Sequence, residues 1–180
     1  MSESKETKRR GLVQVYTGDG KGKTTAALGL ALRAAGHGLY TYIGQFMKGL
    51  PYGELEAARR LAPYLTIEQY GRPSFVHVER ATPEDIRCAH DGLARAREAL
   101  HSGQYDIVVL DEVCVAVYFG LLSLEEVLAL LDERPQGVEL ILTGRRAPQE
   151  LLERADLVTE MREIRHPYAA GVPARAGIEY

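Results

Sequence analysis

The sequence predicts a single α/β domain with a mainly parallel β-sheet and helices on both faces. Apolar runs alternate along its 180 residues with segments of helical periodicity, which is the order expected of parallel strands joined by helical crossovers. A glycine-rich segment, residues 18–25, joins the first strand to the first helix, and a later apolar strand ends in Asp111 and Glu112. Both features are expected at the carboxyl ends of the strands, where such sheets bind ligands.

Six strands and five helices account for most of the chain. The predicted strands are residues 12–17, 39–46, 65–70, 106–112, 138–143 and 157–164, and the last, more polar one suits a sheet edge. The predicted helices are residues 23–35, 54–61, 83–101, 124–134 and 148–155. Thr82 and Ser123 are the expected N-caps of two helices, since acids follow each of them in the first turn.

Two further expectations concern the helix 83–101 and the segment before it. The apolar face of the helix is predicted to comprise Ile86, Ala89, Leu93, Ala96 and Leu100, with His90 beside it as a core or boundary residue and not a ligand. Residues 71–80 fit neither the helical nor the strand pattern. Loops of this length in compact domains are often functional.

Composition and charge limit the classes of function. The sequence has no unbroken apolar run of about 18 residues, so no membrane span is expected. Residues 1–10 are charged and lack the apolar segment of a secretory signal, so we expect a cytoplasmic protein with a mobile tail at 1–10 and its domain at 11–180. The net charge of −3 does not favour nucleic-acid binding. Cys88 and Cys114 are far apart, which argues against a disulfide and a zinc site.

The glycine-rich segment is interpreted as a phosphate-binding loop. Its glycines let backbone N–H groups turn inward and, with the helix N-terminus, attract phosphate oxygens. Lys23 would bring a charge to the terminal phosphates, and Thr24 a hydroxyl to Mg²⁺. Thr17 stands where the usual pattern has its first glycine. The alternative is a glycine-rich turn that binds nothing, but the strand, loop and helix come in the order that phosphate binding requires.

Asp111 and Glu112 are expected to lie beside this loop. One carboxylate would hold Mg²⁺, directly or through water, and the other would position a reactant; the alternative is a pair of solvated acids at a strand end. The same edge of the sheet should also collect residues 45–48, 71–75 and 143–146. Together these features predict a P-loop NTPase-like domain of the RecA-like type, with Thr24, Asp111 and Glu112 as the candidate metal ligands.

Several stretches resemble the ATP:corrinoid adenosyltransferases of the phosphate-loop type. They are residues 17–29, 45–49, 108–112 and 142–145, and the C-terminal residues 166–180 resemble the closing segment of that family. The resemblance covers nearly all of the chain after Leu12. It implies transfer of the 5′-deoxyadenosyl group of ATP to the cobalt of a reduced corrinoid, with release of inorganic triphosphate. It also implies a homodimer and a separate source of electrons, such as a reductase partner.

The resemblance implies roles for individual residues. Cobalt(I) is itself the nucleophile, so the protein needs no general base and only has to orient carbon 5′ and stabilise an anionic leaving group. Lys23, Thr24 and Glu112 are the candidate catalytic residues. The candidate ATP-binding residues are Thr17, Gly18, Asp19, Gly20, Lys21, Gly22, Lys23, Thr24, Thr25, Arg33 and Arg145, although arginines such as the last two are often solvated or paired on a surface.

The candidate corrinoid contacts are Phe46, Lys48 and Phe75. Enteric members of the family carry Gly-Phe-Thr-Trp where this chain has Gly-Arg-Pro-Ser-Phe at residues 71–75, and this chain has no tryptophan. Phe75 therefore either packs against the corrinoid or anchors its loop in the core.

Two other functions fit the same loop. A small-molecule kinase would release ADP and could use Glu112 to activate the acceptor. An ATP-gated carrier or switch would bind a corrinoid without turnover.

Overall fold

In the described part of the chain the sheet has six strands, and all of their pairings are parallel. The computed structural model describes residues 10–73 and 81–180. The strands are β1 (Val13–Thr17), β2 (Thr41–Phe46), β3 (Leu65–Tyr70), β4 (Ile107–Asp111), β5 (Glu139–Thr143) and β6 (Leu157–Glu160). Their order across the sheet is β3-β2-β4-β5-β1-β6. The predicted parallel α/β architecture is confirmed, and β6 lies at an edge as expected.

The helices cover both faces of this sheet. They are α1 (Lys23–Ala35), α2 (Gly53–Leu61), α3 (Pro83–His101), α4 (Val113–Tyr118), α5 (Leu124–Glu133) and α6 (Gln149–Arg154), followed by a 3-10 helix at Pro167–Ala170. All five predicted helices are present, with ends within one residue of those expected. None of the described helices has both the length and the apolar character needed to cross a membrane.

Helix α4 and the 3-10 helix were not predicted. The α4 sequence, Val-Cys-Val-Ala-Val-Tyr, is rich in β-branched residues and follows a strand directly, so local propensity favours extended backbone. Glu112 turns the chain into the helix with a left-handed φ of 64°. Val113, Cys114 and Ala116 are then fully buried, and this burial outweighs the local preference.

Alternate residues of the central strands point into two separate apolar layers. Val108 and Leu110 pack with α3, α4, α5 and α6, while Ile107 and Val109 pack with α1 and α2. Because both faces are covered, β4 and β5 read as continuous apolar runs and not as alternating ones. Their polar residues are consequently concentrated at the strand ends, which is where the site is built.

The first turn of α3 is held by a buried carboxylate. Thr82 and Asp85 form a capping box, and Asp85 also accepts hydrogen bonds from Arg72 Nε at 2.7 Å and Arg72 Nη2 at 2.9 Å. Asp85 occupies the buried position in this turn. The prediction that Ile86 belongs to the apolar face of the helix was therefore wrong, since Ile86 is 39 % exposed. His90 is exposed and lies 3.3 Å from Glu126 Oε1, at the boundary of the packed face.

The Arg72–Asp85 pair predicts a specific loss of stability in acid. The Arg72 guanidinium, with the Thr82 bonds, lowers the pKa of Asp85 from 3.8 to about 2. A carboxyl whose pKa is lower in the folded state stabilises the fold above its unfolded pKa, and this contribution disappears as the pH falls through the folded pKa. We therefore expect Asp85→Asn to lower the free energy of unfolding at pH 7 and to flatten its dependence on pH between 3.8 and about 2.

Urea unfolding followed by circular dichroism across this pH range would measure the effect. Asp91→Asn, an exposed position of the same helix, is the matched control and should leave the pH profile unchanged. Parallel profiles for wild type and Asp85→Asn would contradict the assignment.

Candidate nucleotide and metal site

The loop between β1 and α1 needs glycine for its shape. Gly18 and Gly22 have φ values of 92° and 118°, in the left-handed region that other residues rarely adopt. A Cβ at Gly18 would lie 2.4 Å from the carbonyl oxygen of Met161. Gly20 N–H donates to the same oxygen at 2.6 Å. The segment that follows β6 therefore packs closely on the loop and fixes its backbone.

Lys23 begins α1 and turns its ammonium back onto the loop. Its Nζ donates to the carbonyl oxygens of Gly18 at 2.8 Å and Gly20 at 2.6 Å, and the residue is only 6 % exposed. Burial lowers the pKa of this ammonium, while the nearby Glu112 opposes that shift. Because both hydrogen-bond acceptors that the described residues give this cation are neutral carbonyls, it is well placed to gain anionic partners, such as phosphate oxygens.

Asp111, at the end of β4, is the centre of a polar cluster and is fully buried. Its Oδ1 accepts hydrogen bonds from Thr24 Oγ1 at 2.8 Å and Thr143 Oγ1 at 2.7 Å. Its Oδ2 accepts from Lys48 Nζ at 2.8 Å and Gln45 Nε2 at 3.3 Å. The carboxyl ends of β2, β4 and β5 thus meet the first turn of α1 at one carboxylate. Thr24 and Asp111 offer the hard oxygen ligands that Mg²⁺ prefers.

Glu112 has a different environment from its neighbour. Its backbone N–H donates to Thr143 Oγ1 at 2.9 Å, and its left-handed backbone directs the chain into α4. Burial and the charge of Asp111 raise the pKa of the Glu112 carboxyl, although Lys48, Lys23 and Arg145 partly offset this. A cation bound beside these two acids would favour the ionised form of both.

A pocket of about 650 Å³ opens in front of this cluster. Its walls include residues 20–25 of the loop, residues 52–54 at the start of α2, and Glu112 and Arg145. Another wall is formed by the C-terminal residues 177–180, and Leu28, Lys48, Ala57 and His166 complete the lining. Lys21 Nζ ties this wall to the loop by donating to Glu179 Oε1 at 2.7 Å and to the Ile178 carbonyl at 3.2 Å.

Most of the predicted site residues are brought together here. Loop residues 20–25, which include Lys23 and Thr24, line the pocket together with Lys48, Glu112 and Arg145. Asp111 is hydrogen-bonded to Thr24. The described part of the chain places the remaining candidates as follows: Thr17 is buried, with its Oγ1 accepting from Ala147 N–H at 3.4 Å, and Asp19 is exposed on the loop.

The structure separates two candidates from this region. Arg33 is exposed in the last turn of α1, about 15 Å along the helix from Lys23 at a rise of about 1.5 Å per residue. Phe46 is fully buried in the core, with its ring centroid 6.3 Å from that of Tyr70, so it does not line the pocket. Phe75 lies outside the described residues.

Gln45, Thr143 and the C-terminal wall were not predicted to have a role in the site. Gln45 and Thr143 were expected at the carboxyl edge of the sheet, where the site lies. Their position at the ends of strands was the feature of the sequence that could have indicated a role. The contact between Lys21 and Glu179 joins residues 158 positions apart, so no local pattern indicates it.

Comparison with known proteins identifies the family. The model of the family "ATP:corrinoid adenosyltransferase BtuR/CobO/CobP" matches residues 9–180. A corrinoid adenosyltransferase of Escherichia coli (strain K12) is 40 % identical over 172 residues, covering 95 % of this chain and 86 % of the relative. The corrinoid adenosyltransferase CobA of Salmonella typhimurium (strain LT2) is 38 % identical, with the same coverage. A corrinoid adenosyltransferase of Sinorhizobium sp is 33 % identical over an alignment of 181 residues, which covers 97 % of this chain and 83 % of the relative.

The matched region includes the phosphate-binding loop, the acidic end of β4 and the C-terminal wall of the pocket. With its P-loop NTPase-like sheet and the site at that sheet's carboxyl edge, the chain belongs to the ATP:corrinoid adenosyltransferase family.

Proposed function

We propose that this protein is an enzyme that transfers the 5′-deoxyadenosyl group of ATP to the cobalt(I) centre of a reduced corrinoid and releases inorganic triphosphate. The observation that carries the proposal is one pocket lined by Lys23 and Thr24 of a phosphate-binding loop and by Glu112, with the buried Asp111 hydrogen-bonded to Thr24, in a chain of this family. In the reaction cobalt(I) attacks carbon 5′, the bond from carbon 5′ to oxygen breaks, and its electron pair leaves with the triphosphate. Cobalt is formally oxidised to cobalt(III).

The protein's task is to bind and orient ATP and to stabilise the leaving group. Lys23 would exchange the loop carbonyls of Gly18 and Gly20 for phosphate oxygens, where its charge offsets the negative charge that develops on the triphosphate. The backbone N–H groups of the loop and the N-terminus of α1 would act in the same way. Because the nucleophile is the metal of the substrate, no side chain has to remove a proton.

We assign Mg²⁺ to Thr24 and Asp111, with Glu112 at the adjoining wall of the pocket. The hydroxyl of Thr24 donates to Asp111 Oδ1 at 2.8 Å, so both oxygens lie at one point next to the loop, and Mg²⁺ would replace this hydrogen bond. Bound there, Mg²⁺ would supply positive charge to the triphosphate. Thr143 would keep Asp111 oriented through its 2.7 Å hydrogen bond.

The assembly and surroundings of the enzyme are part of the same proposal. We propose a homodimer, and in its support β6 presents an edge on which Leu157 and Val158 are 41 % and 44 % exposed. We also propose a cytoplasmic location, a reductase as the source of cobalt(I), and Phe75 and Lys48 as corrinoid contacts. The net charge of −3 does not favour a nucleic-acid partner.

An anaerobic assay tests the proposed reaction. The protein would be mixed with Mg-ATP and chemically reduced cobalamin, the corrinoid spectrum followed, and the phosphate products separated. We expect a light-sensitive adenosylated corrinoid and inorganic triphosphate in equal amounts. ADP with an unchanged corrinoid spectrum would indicate a kinase, and corrinoid binding without product would indicate a carrier.

A further inference from the structure

Lys48 reaches from the end of β2 to the buried carboxylate of Asp111. Its Nζ donates to Asp111 Oδ2 at 2.8 Å, and the side chain is 16 % exposed. The backbone beside it is fixed: Met47 has a left-handed φ of 59°, and its N–H donates to the Tyr70 carbonyl at 2.9 Å. A Cβ at Gly49 would lie 2.4 Å from the carbonyl oxygen of Gly71. Lys48 can therefore move its side chain while its backbone stays in place.

Among the described residues, Lys48 is the charged hydrogen-bond donor to Asp111. The other donors that the structure gives to Asp111, from Thr24, Thr143 and Gln45, are neutral. A buried carboxylate without a cationic partner is costly, since hydrogen bonds from neutral groups replace only part of its hydration. Lys48 thus does for Asp111 what a bound metal ion would do.

A second position for the ammonium lies nearby. Glu54 Oε1 is 3.9 Å from Lys48 Nζ, and the ring of Tyr52 has its centroid 5.4 Å from the same atom. Gln45 Nε2 connects the two acids, donating to Glu54 Oε1 at 3.0 Å and to Asp111 Oδ2 at 3.3 Å. The ammonium consequently has carboxylates on two sides and can move from one to the other without leaving the pocket.

We propose that Lys48 is an internal counter-ion that neutralises Asp111 when no metal is bound and moves towards Glu54 when Mg²⁺ binds. The inference rests on the proposed assignment of Mg²⁺ to Thr24 and Asp111. A divalent ion and an ammonium beside the same carboxylate repel each other strongly in a poorly hydrated site. Lys48 therefore competes with the metal and is a positioning residue for Asp111.

Metal binding without nucleotide gives the direct test. Mn²⁺ would replace Mg²⁺, and the free ion would be measured by electron paramagnetic resonance. We expect Lys48→Met to bind Mn²⁺ at least about tenfold more tightly than wild type, because the competing charge is gone. Arg59→Met is the matched control, since Arg59 is exposed on α2 and contacts Glu56 and not Asp111, and should bind Mn²⁺ as wild type does. Equal or weaker Mn²⁺ binding by Lys48→Met overturns the inference.

Stability in chelator gives an independent readout. Loss of one partner of a buried ion pair should lower the melting temperature of Lys48→Met by about 10 °C in chelator, and Mn²⁺ should restore most of it. The double variant Lys48→Met with Asp111→Asn should melt close to wild type in chelator and show no gain in Mn²⁺ affinity. If Lys48→Met does not fold in chelator, Mn²⁺ should restore its circular dichroism; failure to do so, while the double variant folds, overturns the inference.

Adenosyl transfer by wild type is measured separately from these binding and melting experiments. An active wild type whose Lys48→Met variant gains no Mn²⁺ affinity rejects the counter-ion role and leaves the proposed function intact. An inactive wild type whose variant gains that affinity rejects the proposed function and supports the role of Lys48.

Discussion

Replacing Lys23 with methionine is expected to lower kcat/KM for adenosyl transfer by about 10²- to 10³-fold, the cost typical of removing one preorganised donor from a site of developing charge. The ammonium of Lys23 already lies inside the loop, 2.8 Å from the Gly18 carbonyl and 2.6 Å from that of Gly20. The ammonium does not have to move in from solvent when ATP binds, so little reorganisation of Lys23 accompanies the reaction. Methionine keeps most of the side-chain volume but brings no charge.

The fall should appear mainly in kcat. The triphosphate carries more negative charge as it leaves than it does within bound ATP, so an ammonium beside it stabilises the transition state more than the ground state. The measurement is the initial rate of corrinoid adenosylation over a series of ATP concentrations, with circular dichroism to verify that the variant is folded.

Arg33→Met provides the matched control, because it also replaces a cation of α1 with methionine. Arg33 is exposed in the last turn of that helix, far from the loop, and the variant should retain the wild-type kcat and KM. A Lys23→Met enzyme within threefold of wild type would contradict the assigned role. A large effect of Arg33→Met would show that the ATP site extends beyond the pocket described.

Sequence reasoning located the parts of this site that are encoded locally. The loop, Thr24 and the acids at the end of β4 each follow from a short pattern, because glycine spacing and an apolar strand are visible in consecutive residues. Parallel packing then brings strand ends to one edge whatever their separation in sequence. This is why Lys23, Thr24 and Asp111 were predicted together.

The remaining features depend on contacts that only the folded chain makes. Lys48 and Asp111 are 63 residues apart, and their pairing requires β2 to lie beside β4, a strand order that composition and periodicity do not determine. Helix α4 forms because its apolar residues are buried between elements distant in sequence. Arg33 was a different case: the helix itself was predicted, and its length alone places residue 33 about 15 Å from the loop.

Replacing Asp111 with alanine is expected to lower the free energy of unfolding by about 3 to 5 kcal/mol in chelator, the range found when one partner of a buried ion pair is removed. The substitution removes the acceptor of four hydrogen bonds, from Thr24, Thr143, Lys48 and Gln45. It also leaves the Lys48 ammonium beside a small cavity. Lys48 can partly compensate by moving to Glu54, 3.9 Å away, which favours the lower end of the range.

Urea unfolding at pH 7 would give the free energies, with Asp91→Ala as the control. Asp91 is an exposed carboxylate on α3, and its loss should change stability by no more than about 0.5 kcal/mol. A loss below about 1 kcal/mol for Asp111→Ala would mean that the cluster contributes little to the fold.

A double-mutant cycle separates the ion pair from the rest of the cluster. If Lys48 and Asp111 are partners, Asp111→Ala should cost less in the Lys48→Met background than in wild type, because no unpaired ammonium remains. Equal costs in the two backgrounds would assign the stability to the neutral donors, Thr24, Thr143 and Gln45. Lys48 would then line the pocket without contributing to stability through Asp111.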